Sequence, residues 1–132
     1  MEHEAAFAKA FLPSERRARF IQLLAQPRRR KEILVSLNHD LRYLPAFATA
    51  VPGHQDFPDE LEKLLRAKGA GATGHVIADG LKGDGRELPL GEALLQICMH
   101  GAGAILSCLP GRLAYYRPEA PGAGVLLERP AP

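Results

Sequence analysis

At 132 residues, with 46% hydrophobic and 24% charged side chains, the chain has the balance of an ordinary globular protein, and its length favours one domain over two. Seventeen Lys and Arg stand against 15 Asp and Glu, a formal charge of +2. These values exclude a disordered tail, a collagen-like repeat and a disulfide-dense scaffold.

The first 68 residues read as helical. Residues 3–12 are Ala-rich, with Phe7 and Phe11 four apart on one face, and Pro13 stops the run. Ser14 is the expected N-cap of a second helix over 15–26, with Phe20, Ile21, Leu23 and Leu24 inward. Pro27 opens a third helix, expected over 28–44, where Ile33, Leu34, Leu37, Leu41 and Leu44 form a buried stripe. Residues 45–55 read as a loop. Asp56 is the expected cap of a short helix with Leu61, Leu64 and Leu65 buried and Gly69 at its end. Residues 69–74 form a flexible link.

The second half changes character over 74–129. His75–Asp79 reads as a strand, followed by a turn-rich loop over 80–87. Pro89 opens a helix that ends at Gly101. Ala104–Leu109, Arg112–Arg117 and Val125–Arg129 then read as three strands joined by turns, an antiparallel meander. A strand reached through a helical crossover can lie parallel to one of them. The expected architecture is a single α+β domain over 1–132. About four N-terminal helices cover one face of a small, mixed, mostly antiparallel C-terminal sheet with one crossover helix.

The charge pattern is local. Residues 14–45 hold eight basic and three acidic side chains, concentrated in Arg16, Arg17 and Arg19 and in Arg28, Arg29, Arg30 and Lys31. Guanidinium groups along two helices match phosphate oxygens, so this run is the candidate nucleic-acid or anion-binding surface. The ordinary reading is a solvated helix face. Three Tyr, five Phe and no Trp leave few platforms on which single-stranded bases could stack. A second candidate is the strand carrying Arg112, Tyr115, Tyr116 and Arg117. Alternation sends the two tyrosines to opposite faces, so one is expected inward and the other in water, where a Tyr flanked by Arg suits partner binding.

Catalytic and metal patterns are weak. Ser36, His39 and Tyr43 share a helix flank, but Asp40 directly follows His39 and diverges from it by about 100° on a helix. In Asp79–Glu87 the calcium-loop spacing fails, because Leu81 and Gly83 occupy ligand positions; turn chemistry explains Asp84-Gly85. Cys98, His100 and Cys108 lack the close chelating pairs of a zinc site and read as core thiols. Gly101-Ala102-Gly103 precedes a strand where nucleotide loops follow one, so no metal and no cofactor is expected.

Nothing at the N-terminus resembles a basic signal followed by an apolar stretch, and no apolar run reaches 18 residues. The expected compartment is the cytoplasm, with reduced thiols. Twelve Arg to five Lys is the usage of a GC-rich bacterial genome. The resulting expectation is a small interaction module acting on a macromolecular partner. Another protein or a second copy comes first and nucleic acid second. The alternative is a small hydrolase in which His39, His75 or His100 meets Asp79, Asp84 or Glu87 in a pocket.

Overall fold

The computed structural model describes residues 2–39 and 41–130. Three helices open the chain: α1 (Glu2–Phe11), α2 (Ser14–Leu24) and α3 (Arg30–Ser36). A 3-10 turn over Pro45–Phe47 leads into β1 (Ala48–Ala50), and a second turn, Gly53–Gln55, precedes α4 (Pro58–Ala67). The remainder runs β2 (Thr73–Ala78), β3 (Glu87–Pro89), α5 (Leu90–His100), β4 (Ala104–Leu109), β5 (Leu113–Arg117) and β6 (Val125–Glu128). The six strands form one sheet in the order β1-β6-β5-β4-β2-β3. The α+β class expected from the sequence is the one found.

Every strand pair is antiparallel, which corrects the expected mixed sheet. The cause is β3, hidden in what reads as a loop. It reverses the chain after β2, with His75 opposite Glu87, so α5 carries the chain back and β4 descends antiparallel to β2. The first, helical part also contributes a strand, since β1 extends the sheet by pairing with β6.

Helices cover both faces, not one. On one side Phe7, Phe11 and Phe20 of α1 and α2 pack with Ile33, Leu34 and Leu37 onto Ile77, Ile105, Tyr116 and Leu127. On the other, Leu61 and Leu65 of α4 and Leu90, Leu94 and Ile97 of α5 pack onto Val76, Leu106, Tyr115 and Leu126. Strand alternation divides neighbours between the two cores, so the strands β2, β4, β5 and β6 are apolar on both sides, while the edge strands β1 and β3 stay largely exposed. Burial of a Leu or Phe contributes about 1.5–3 kcal/mol, and both layers draw on it.

Three local expectations change for tertiary reasons. Ser14 is the first residue of α2; Pro13 holds the cap position and makes no side-chain cap bond. The third helix stops at Ser36, well before residue 44. There the Tyr116 hydroxyl donates to the Leu37 carbonyl, and Glu119 N–H donates to that of Asn38. The Asn38 side chain accepts Gly103 N–H at 2.7 Å. A β-carbon on Gly103 would lie 2.1 Å from the Leu37 oxygen, so only glycine allows this approach of β4 to the end of α3. Ser36, His39 and Tyr43 therefore share no helix flank, and Asp40 lies outside the described residues. Finally, Phe57 precedes α4 at its cap position, which leaves the Asp56 carboxylate for another task.

Candidate functional site

The basic run separates into groups with different work. Arg30 is an interior cation. Its Nη1 and Nη2 donate to both oxygens of Glu4 at 2.8 and 2.7 Å, and Nε and Nη2 donate to Asp84 at 2.8 and 2.7 Å. Glu4 is 2% exposed, so this pair is shielded from water and salt. Burial alone would raise the Glu4 carboxyl, yet the bonds from Arg30 and His75 hold it at about 2. Burial opposes the Arg30 charge as well, and the two carboxylates outweigh it and raise its pKa. Arg30 therefore cannot serve as a phosphate-gripping side chain. Arg17 is occupied too, donating to the Leu12 carbonyl at the end of α1. Arg29 donates to both oxygens of Glu32 at 2.8 and 3.1 Å.

Around the Glu4–Arg30 pair lies the main convergence of imidazoles and carboxylates. His75 Nε2 is 2.8 Å from Glu4 Oε2, and the His3 ring stacks on His75 at 5.2 Å. His3 Nδ1 stands 2.7 Å from Ser107 Oγ, while its Nε2 lies 3.9 Å from Glu87. Burial and then the neighbouring His75 lower the His3 pKa. A serine, an imidazole and a carboxylate in this order resemble a nucleophile and its base. Ser107 is 1% exposed beneath α1, however, so a substrate cannot reach its oxygen with α1 in place.

Of the three histidines weighed for catalysis, His100 bonds the Asp79 carbonyl rather than its carboxylate, and His39 is exposed in the turn after α3. His75 reaches Asp84 only through Glu4 and Arg30. Asp84 also accepts Ala78 N–H, fixing the β2–β3 turn. Among the described residues, no group of three or more His, Cys, Asp or Glu could hold a metal ion. Burial raises both thiols, Cys108 to about 12.

The Arg/Tyr strand is also interior, which corrects the expectation of one exposed tyrosine. Tyr115 is 0% and Tyr116 4% exposed, because each face of the sheet has its own helical layer. The Tyr115 hydroxyl donates to Asp56, which also accepts Gly124 N–H at 2.9 Å and Arg117 at 3.1 Å. Burial, then this bond, raises the Tyr115 pKa. Asp56 thus ties the segment before α4 to β5 and the start of β6. Arg112 alone of the four lies exposed.

What remains open to a partner is a groove between α2 and α3. Leu12, Phe20, Ile33 and Leu41 form its apolar floor, Arg16, Arg19 and Arg42 its cationic rim, and Glu15 and Glu32 its acidic members, enclosing about 460 Å³. Arg28, in the turn between these helices, and Lys31, on α3, are exposed. Of these lining residues, Glu32 and Arg42 escaped the sequence reading, and Glu15 reads from the sequence only as a first-turn acid of the second helix. The three-residue spacing of Arg29 and Glu32 was the available signal for one of them. Elsewhere, Leu95 and Met99, one turn apart on α5, are 51% and 78% exposed. Comparison with protein-family models, curated proteins and solved structures found no match to this chain.

Proposed function

We propose that the chain is a small, single-domain interaction module of the cytoplasm that binds another protein through the α2–α3 groove. The observation that carries this reading is the groove's composition. Half-buried Leu41, over a floor of the core residues Leu12, Phe20 and Ile33, offers a small apolar contact, and a rim of both signs offers register. A phosphate backbone calls for an uninterrupted basic surface. Here Arg30 and Arg17 are already occupied, and Arg19 and Arg29 both approach Glu32. Nucleic acid therefore stays second. Two free thiols are in keeping with a reducing compartment, and among the described residues no helix is long and apolar enough to cross a membrane.

Photo-crosslinking from position 36, which lines the groove, with identification of the attached segment, tests the reading. A protein segment should be captured, with capture lost in R16E/R19E and absent from a control position at Lys63 on α4. Capture of the chain itself, together with a concentration-dependent dimer in sedimentation, would make the partner a second copy. Salt-sensitive DNA or RNA binding lost in R16E/R19E, without protein capture, would transfer the function to nucleic acid.

A further inference from the structure

A second cationic concavity lies away from the groove, where the β4–β5 turn meets the end of β6. Two adjoining cavities of about 390 and 550 Å³ share Arg112, Arg129 and Pro130 as walls. Lys68 lines the first and Phe47 and Pro110 the second. Backbone bonds fix the two arginines relative to one another: Arg112 N–H donates to Leu109 O at 3.0 Å, and Arg129 N–H donates to Arg112 O at 2.8 Å. Three cations gather here, and the lining holds one carboxylate, Glu128, which lies 3.1 Å from Lys68.

Arg129 is the unusual member. Its guanidinium sits 4.1 Å over the Phe47 ring, and its Nε is shut off from water with no hydrogen-bond partner. A buried donor of this kind costs free energy, and the side chain as a whole is half-buried, so its charge is only partly screened from an anion that approaches. Pro110, Pro130 and Phe47 supply apolar walls beside the charge. We propose that Lys68, Arg112 and Arg129 form a binding site for an oxyanion, phosphate or carboxylate, carried on an apolar body. Arg forks match such oxygens in pairs, Lys adds a point charge, and the second cavity takes the apolar part. The site is independent of the α2–α3 groove.

Titration of the full chain at low ionic strength with phenyl phosphate, benzoate and neutral benzamide, followed by amide NMR, tests it. At least one of the two anions should shift the Gly111, Arg112 and Arg129 amides saturably, while benzamide should not. Tighter binding of phenyl phosphate would assign the site to phosphate esters, and tighter binding of benzoate to carboxylates; either supports the proposal. Arg112→Ala and Lys68→Ala, both at exposed positions, should each weaken binding by about tenfold with the circular dichroism spectrum unchanged. Absence of saturable shifts from both anions, equal shifts from benzamide, or affinity unchanged in K68E/R112E would overturn it.

Discussion

Nη2 of Arg30 stands 2.7 Å from Oε2 of Glu4, joining the first turn of α3 to the first turn of α1. The same guanidinium reaches Asp84 in the β2–β3 turn and the Leu24 carbonyl at the end of α2. One side chain thus holds three helices and a hairpin in register. Losing either charge of a buried pair leaves the other stranded.

Arg30→Ala should therefore destabilise the chain by about 3–5 kcal/mol, as should Glu4→Ala, with a double mutant far less costly than the sum. Arg28→Ala, on an exposed position, should stay within about 0.5 kcal/mol. Urea denaturation of the four proteins measures the contrast. Equal effects at Arg28 and Arg30 would return Arg30 to the surface.

Stability should decline in acid over two pH windows. His3 has a pKa below its ordinary 6.5, so the unfolded chain binds that proton more readily, and stability begins to fall as pH drops through 6.5. Glu4, held at about 2 against 4.5, gives stability that is complete above 4.5 and lost between 4.5 and 2. Melting temperature followed from pH 8 to 2 should show both, and His3→Gln should remove only the first.

Removing the Asp56 carboxylate should cost more than removing the hydroxyl it binds. Tyr115→Phe deletes the bond donated to Asp56 and the one accepted from Arg117, an effect of about 1–2 kcal/mol, because Asp56 and Arg117 keep one another and Asp56 keeps Gly124. Asp56→Ala leaves Gly124 N–H without its acceptor and the bonded Arg117–Tyr115 pair without its carboxylate, at about 3 kcal/mol or more. Chemical denaturation that ranks the two in reverse order would contradict this role.

Gly103→Ala should destabilise strongly, by more than the ~1–3 kcal/mol of ordinary overpacking, because the added carbon meets backbone rather than a movable side chain. Gly71→Ala, with open space around it, should have little effect on the same melting curve.

Local chemistry in the sequence determined the element types and most of the turns. The phenylalanine spacing in α1, Pro89 before α5 and Gly101 after it are short-range signals, and they read the same in the folded chain. The apolar runs Ala104–Leu106 and Val125–Leu127 likewise marked β4 and β6. Three-residue strands such as β1 and β3 carry too few side chains for a periodic signal, and missing β3 left a helical crossover that allowed β2 to lie parallel to one of the later strands. The destination of charged and aromatic groups was decided only by the tertiary structure. Arg30 stands among three other basic residues in sequence, yet its nearest carboxylates come from positions 4 and 84. Tyr115 and Tyr116 were correctly sent to opposite faces by strand alternation, but a second helical layer turned both faces into core. Alternation acts between neighbours, whereas burial and ion pairing depend on groups brought together from distant parts of the chain.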